Sequence, residues 1–236
     1  MKTFLKAQWQ NLVMANYEVD EKLLQPYLPN GVFIDDFDGK TLVSLVGFMF
    51  KNTKLFHVPI PFFGTFEEVN LRFYVKRIED NEAKRGVVFI NETVPFKPVA
   101  WLANKLYQEN YIAIPTKNKI EIEPEHKRIL YSWKMKNKWN HIKVKASIDS
   151  KPMLSDSIEE FIFEHYYGYT KYNQQSQEYK VNHPSWKTNN ITNYTIDCDF
   201  ELMYGNEFEF LNHTKPHSVL LAEGSAVSID WKRKTF

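Results

Sequence analysis

Polar side chains of four chemically different kinds alternate with apolar ones between residues 68 and 75. Successive side chains of a β-strand point to opposite faces, so Glu68, Asn70, Arg72 and Tyr74 would share one face, while the other positions from 69 to 75 are apolar. Residues two apart on one face are separated by about 6.5 to 7 Å. A small acid would therefore meet Asn70 and Arg72 together with Glu68 within reach, and a guanidinium recognises a carboxylate through paired hydrogen bonds. An ordinary solvent-exposed face would show the same alternation.

Other residue patterns with known chemistry are weaker. Cys198 is the only cysteine, which excludes an internal disulfide, and the aspartates on either side would raise the pKa of its thiol, so we interpret it as a core residue. His213 and His217 have the helical spacing of a metal pair, but Pro216 disfavours a helix between them. The scattered glycines form neither a phosphate-binding loop nor a dinucleotide fingerprint. The sequence therefore predicts no metal site and no cofactor.

Short apolar and aromatic runs, bounded by Gly, Pro, Asn or Asp, predict a mainly β fold. Residues 41–50 are almost continuously apolar, as expected of a strand covered on both faces, and residues 127–148 alternate as a hairpin with one wet face on each arm. Helices are predicted in three places: a short one capped by Asp20, a longer one after Pro98, and a third from 157 to about 166.

Length and charge restrict the classes of partner. A chain of 236 residues with 43% hydrophobic content can bury a substantial core, and we expect one domain over residues 1–236. The net charge of +1 argues against nucleic acid and membrane surfaces as partners, and the lysines and tryptophans of the 127–148 hairpin are interpreted as a solvated face rather than a nucleic-acid surface. No apolar run resembles a signal peptide or a membrane span, so a cytoplasmic location is expected.

Several segments, in order along nearly the whole chain, resemble the YqjF-like family of unknown function. They are Trp9 to Asp20, Leu23 to Val32, Glu68 to Val75, Gly86 to Ile90, Phe161 to Tyr169, and His183-Pro184-Ser185-Trp186. That family is grouped with acetoacetate decarboxylase-like proteins. The resemblance implies an antiparallel β-cone or barrel with a few peripheral helices and an interior ligand cavity.

The resemblance also bears on the chemistry. Acetoacetate decarboxylase forms a Schiff base through a lysine whose pKa is depressed by a second lysine. In this chain Tyr111 and Ile112 stand about where that lysine pair would be, so the resemblance implies that the paired amines are missing. It also places His165, after Glu164, where related sequences often carry an arginine. These two residues would supply acid-base or hydrogen-bonding groups, or a purely structural contact.

Three functions are consistent with the sequence. The leading hypothesis is a cavity that binds a small anionic organic molecule, a carboxylate, through Glu68, Asn70 and Arg72, with Tyr111 closing it. The second is a decarboxylase or related lyase acting on a keto acid through Lys105, which lies about six residues before Tyr111. The third is a non-catalytic protein that assembles into homo-oligomers through exposed aromatic side chains.

Overall fold

The computed structural model describes residues 3–231 and 233–236, and most of them lie in β-strands, as the residue pattern predicts. Fifteen strands belong to one hydrogen-bonded sheet. In chain order they are β1 (Thr3–Glu18), β2 (Phe33–Ile34), β3 (Leu42–Leu55), β4 (Val58–Pro59), β5 (Phe66–Glu79), β6 (Glu82–Val94), β7 (Tyr111–Ala113), β8 (Thr116–Ile122), β9 (His126–Met135), β10 (Lys138–Pro152), β11 (Tyr167–Tyr172), β12 (Gln175–Asn182), β13 (Lys187–Asp197), β14 (Ser218–Asp230) and β15 (Lys234–Thr235).

Helices are few and short, and each of the three predicted ones is present. The α-helices are α1 (Lys97–Tyr107), α2 (Ile158–Phe163) and α3 (Phe200–Tyr204), and three 3-10 helices span Glu21–Leu23, Gln25–Tyr27 and Asn206–Asn212. Pro98 lies in the first turn of α1, where its missing N–H costs no hydrogen bond. The side chain of Asp20 accepts a hydrogen bond from the backbone N–H of Lys22 and so caps the first 3-10 helix. The sequence pattern did not predict α3.

Seven strands of the sheet close into a ring. Along the ring the order is β12, β11, β6, β5, β3, β1 and β14, and β14 pairs back onto β12 through Val181 opposite Ile229. Most of these pairs are antiparallel, whereas β11 lies parallel to β6. The sheet continues outward from β14 through β13, β10, β9 and β8. This is the mainly β class that the sequence predicts, and the ring provides an enclosed interior.

Both faces of β5 are buried, for different reasons. Val69, Leu71 and Phe73 belong to a large apolar cluster that includes Ile129 and Trp133 of β9. Burying side chains of this size stabilises a fold by roughly 1.5 to 3 kcal/mol each. The opposite face of the strand points into the ring. The apolar cluster thus fixes the register that directs the polar residues of β5 inward.

Two β-bulges change which residues face the interior of the ring. In β1 the pairing with β3 shifts between Gln10 and Val13, around Asn11 with its φ of 55°. Gly224 of the neighbouring strand has a φ of +82°, and an added Cβ would lie 2.1 Å from the carbonyl oxygen of Trp9, so only glycine fits there. In β6 the pairing with β5 shifts at Ile90. A bulge reverses the alternation of side chains beyond it, so residues three apart point to the same side.

Over residues 3–231 and 233–236, no helix is both long enough and apolar enough to cross a membrane.

Candidate functional site

The ring of seven strands encloses a cavity of about 70 Å³. Every strand of the ring contributes at least one residue to its wall, and the other lining residues lie in β7, in or just after α2, and after β12. The lining consists of Trp9, Leu12, Val46, Phe48, Phe50, Glu68, Asn70, Arg72, Val87, Phe89, Glu92, Tyr111, Phe163, His165, Tyr167, Gly168, Tyr179, Val181, His183, Trp186 and Ile229. Five of the seven side chains predicted from the sequence are among them: Glu68, Asn70, Arg72, Tyr111 and His165.

Arg72 projects from β5 into this cavity without an acidic partner. In the part of the chain that the structure describes, no carboxylate lies within 4.0 Å of its guanidinium. Its Nη2 makes only long contacts, 3.4 Å to the carbonyl oxygen of Ile162 and 3.5 Å to the sulfur of Met14. The guanidinium carbon lies 5.6 Å from the ring centre of Tyr74. A half-buried cation with so few partners is an unusual feature and a candidate anion site.

Glu68 lies on the same face of β5 and is almost completely buried. Its carboxylate accepts a hydrogen bond from Asn70 Nδ2 at 3.0 Å and one from the Tyr111 hydroxyl at 3.1 Å. Burial raises the pKa of this carboxyl to about 7, although both hydrogen bonds and the positive charge of Arg72 act in the opposite direction. Glu68 can therefore exist in its protonated form near neutral pH.

Two further carboxyl groups lie close to Glu68. Burial, followed by repulsion from Glu109 and Glu68, raises the pKa of Glu92 well above its usual value. Burial also raises the pKa of Glu109 to about 8, although its hydrogen bond from the Tyr179 hydroxyl, 2.8 Å long, lowers it. Three buried acids so close together cannot all ionise at neutral pH, because each charge disfavours the others. These acids therefore cannot all be charged beside Arg72 at neutral pH.

His165 is held by Asp35, which lies on the loop after β2. The Nε2 of His165 is 3.2 Å from a carboxylate oxygen of Asp35, and Asp35 also pairs with Arg85 at 2.6 Å and with Lys76 at 3.1 Å. Burial lowers the pKa of His165 to about 4, although its bond to Asp35 acts in the opposite direction. The imidazole is therefore neutral at physiological pH, and a proton on Nε2, shared with Asp35, leaves Nδ1 as an acceptor.

The other two predicted side chains lie beside the cavity and do not line it. The hydroxyl of Tyr74 is 2.6 Å from that of Ser44, and its ring packs 4.8 Å from the imidazole of His165, centre to centre. Glu164 is the C-cap residue of α2 and accepts a hydrogen bond from the Tyr166 hydroxyl. Tyr74 thus packs against His165 without lining the cavity, and the Glu164 carboxylate binds the Tyr166 hydroxyl outside it.

Tyr111 is fixed by α1. Asn104 accepts a hydrogen bond from the backbone N–H of Tyr111 at 2.7 Å and donates one to its carbonyl oxygen at 2.9 Å. Lys105, one residue further along the same helix, is exposed and lies 5.0 Å from the ring centre of Trp101. Among the described residues, none that lines the cavity is a lysine. The Lys105 amine thus lies on the outer side of the helix and not in the cavity.

Five buried polar atoms of lining residues have no hydrogen-bond partner within the described part of the protein. They are Trp9 Nε1, Asn70 Oδ1, Arg72 Nε, Glu92 Oε2 and His165 Nδ1. Buried polar groups are almost always paired, so each such atom requires an explanation. Donors and acceptors both occur in this set. Their concentration around one cavity indicates a site that receives a polar molecule.

The sequence pattern missed several residues of this site. Glu92, Tyr179 and Trp9 line the cavity, Glu109 accepts a hydrogen bond from Tyr179, and Asp35 holds His165. Only Glu92, which follows closely on the apolar run 87–90 of β6, offered a local signal, since a charged residue within a strand is rarely buried without a role. The remaining contacts join elements that are far apart in the chain.

Comparison with known proteins gives one family and one relative by sequence. The family DUF2071, described as an uncharacterized conserved protein, matches residues 6–226 of the chain. The uncharacterized protein YqjF of Bacillus subtilis (strain 168) is 24% identical over 190 residues, which is 79% of this chain and 75% of that protein.

Solved structures give the same fold. Acetoacetate decarboxylase from Legionella pneumophila matches with a TM-score of 0.66 and 12% identity, over 99% of this chain and 87% of that one. An acetoacetate decarboxylase-like enzyme from Sphingomonas wittichii RW1 matches with a TM-score of 0.66 and 9% identity, over 100% and 94%. The enduracididine biosynthesis enzyme MppR complexed with pyruvate matches with a TM-score of 0.64 and 10% identity, over 100% and 91%. The fold is therefore that of acetoacetate decarboxylase-like proteins.

Proposed function

Since the chain belongs to DUF2071, a family whose members are described only as uncharacterized, we propose from its site that the cavity inside the strand ring binds a small organic carboxylate. The single observation that carries this proposal is Arg72, whose guanidinium lies at the cavity without a carboxylate partner in the described structure. Arg72 would hold the ligand's carboxylate through two N–H donors. Asn70 and Glu68, along the same strand, would contact its other polar atoms.

The electrostatics of the cavity support an anion. Burial favours the neutral forms of Glu68, Glu92 and His165 near pH 7, so Arg72 supplies the dominant charge. A protonated Glu68 can donate a hydrogen bond to an oxygen of the ligand, whereas an ionised one would repel a carboxylate. The neutral Nδ1 of His165 can accept one. Arg72 Nε and His165 Nδ1, which lack partners within the described protein, and a protonated Glu68 thus match the needs of a small oxygenated acid.

The binding we propose is non-covalent. MppR, which has a similar fold, was solved with pyruvate, so a keto acid is an appropriate first probe. A Schiff base needs an unprotonated amine within reach of the keto carbon. The exposed position of Lys105 beside Trp101 argues against that chemistry, as does the lysine-free lining of the cavity among the described residues.

A thermal-shift screen tests the proposal. We expect pyruvate and related small acids to raise the melting temperature at pH 6.5, because a ligand that binds only the folded protein stabilises it by about 2.7 kcal/mol at 100 times its Kd. Hydroxyacetone, which resembles pyruvate but has no carboxylate, is the matched control and should give no shift. Equal shifts with both compounds, or none with any carboxylate, would contradict the proposal.

The pH dependence of binding adds a second readout. If the ligand needs Glu68 protonated, its affinity falls up to about tenfold for each pH unit above the pKa of that group, which is about 7. Pyruvate stays ionised throughout this range, so the change reports on the protein. In Glu68→Gln, whose side chain is always neutral, the affinity should fall less steeply than in the wild type between pH 6.5 and 8.5, and the remaining change reports on Glu109, whose pKa is about 8.

A further inference from the structure

A second cavity of about 100 Å³ adjoins the first, and its wall is largely apolar. The two cavities share five lining residues: Phe50, Glu68, Tyr111, Tyr179 and Ile229. Beyond this shared boundary, Val99, Leu102 and Ala103 of α1 form one side, and Phe4, Leu55 and Phe66 are among the residues opposite. Positions 99, 102 and 103 have the spacing of one helical face, so the helix presents a continuous apolar surface to this second cavity.

Such a space lowers the stability of the protein unless something fills it. Protein interiors are packed as densely as organic crystals, and the walls of an apolar void lose the contacts that a filled space would give them. Among the described residues, the polar side chains on its wall are Thr53, Glu68, Glu109 and the hydroxyl-bearing Tyr107, Tyr111 and Tyr179. Three of these, Glu68, Tyr111 and Tyr179, lie at the shared boundary. The second cavity therefore suits an apolar group that enters from the direction of Arg72.

From these two adjoining cavities we infer that the ligand is a carboxylate with an unbranched apolar tail, its head at Arg72 and its tail between α1 and Phe66. This inference rests on the proposed function, because it takes Arg72 as the site of the carboxylate. Arg72, Glu68 and Phe66 follow one another along the same face of β5, and the six residues from 72 to 66 span about 20 Å. The Arg72 side chain covers part of that distance. A tail on the order of six to ten carbons would reach the second cavity.

Calorimetric titration with propionate, hexanoate and octanoate tests this. In the wild-type protein we expect the affinity to rise up to about fourfold for each added methylene, the value for transfer of one methylene out of water. In Ala103→Phe, which places a ring in the second cavity, octanoate should lose about tenfold or more while propionate is unchanged. Val99→Phe provides a second blocking variant if the first does not fold. Lys105→Phe adds the same ring to the exposed side of α1 and should behave as wild type.

Each other outcome has a definite meaning. Equal affinities for propionate and octanoate in the wild-type protein would overturn the tail inference and leave the carboxylate site standing. An affinity that rises with chain length in the wild type and rises equally in both blocking variants would also overturn it, since the tail would then lie elsewhere. Affinities that are the same in Arg72→Gln as in the wild type for all three acids would support the second cavity as the site of the tail but contradict Arg72 as the site of the carboxylate. Failure of all three acids to bind would overturn both proposals.

Discussion

Replacing Arg72 by glutamine should abolish the stabilisation of this protein by small carboxylates. The glutamine side chain would retain hydrogen-bonding groups but not the charge or the paired donors of a guanidinium, and a charge-assisted pair of this kind contributes about 3 kcal/mol, equivalent to roughly a hundredfold in Kd. The unliganded variant should be as stable as wild type or more so, because the guanidinium is half-buried and Nε has no partner in the described structure. Thermal unfolding with and without pyruvate measures both effects.

Arg128→Gln is the matched control for this experiment. Arg128 lies on β9, pairs with Glu123 and is about 38% exposed in its side chain. Its substitution removes the same charge from the protein but should leave the pyruvate-induced shift intact. A shift that survives in Arg72→Gln, or disappears equally in Arg128→Gln, would show that the carboxylate responds to the net charge of the protein and not to the cavity.

Replacing Glu92 by glutamine should stabilise the protein increasingly as the pH rises. The pKa of Glu92 is raised in the folded state, so between its unfolded value near 4.5 and its folded value the folded protein binds more protons, and its stability falls with rising pH. A glutamine at this position has no proton to lose, and its neutrality also relieves the repulsion that Glu92 exerts on its acidic neighbours. The gain should be near zero at pH 5 and should grow steadily towards pH 9.

Urea unfolding at several pH values measures this gain directly. Glu82→Gln on the same strand is the control, because Glu82 is exposed and should give a difference that does not change with pH. His165 works in the opposite sense: its pKa is lowered, so it contributes stability above about pH 6.5 that is lost as the pH falls. Its contribution cancels in the difference between wild type and Glu92→Gln. A difference in unfolding free energy between the two proteins that is constant from pH 5 to 9 would contradict the assignment of Glu92 as a buried acid with a raised pKa.

The polar face of β5 could be predicted from the sequence because successive side chains of a strand point to opposite faces, and this alternation alone assigns each residue to a face. Glu68, Asn70 and Arg72 face the cavity, as that period requires, while Val69 and Leu71 face the apolar cluster. Both faces are buried, so the alternation did reflect an interior face and not a solvated one. The mainly β class and the positions of the three predicted helices followed from equally local signals.

The same rule failed on β6, where the bulge at Ile90 intervenes. Val87 and Phe89 face the cavity, and strict alternation would continue with Asn91. The extra residue reverses the phase, so Glu92 faces inward instead. Nothing in the local residue types marks the bulge, since it is set by pairing with β5. This explains why Glu92 was not predicted to face the cavity.

Contacts between distant segments could not be predicted from the residue pattern. Asp35 reaches His165 across 130 positions, and Glu109 reaches Tyr179 across 70. Such pairs depend on the closed ring, which brings β12 and the loop after β2 next to strands that are remote in the chain. Tyr111 and His165 were identified only through the family resemblance. The exposed direction of Lys105 likewise depends on how α1 packs.

A crystal structure with bound pyruvate would test the central claim most directly. We predict the carboxylate of pyruvate inside the strand ring, with its oxygens about 2.7 to 2.9 Å from two nitrogens of Arg72, and no covalent bond to any lysine. Pyruvate seated elsewhere, with the guanidinium of Arg72 still lacking an anionic partner at saturating concentration, would contradict the account.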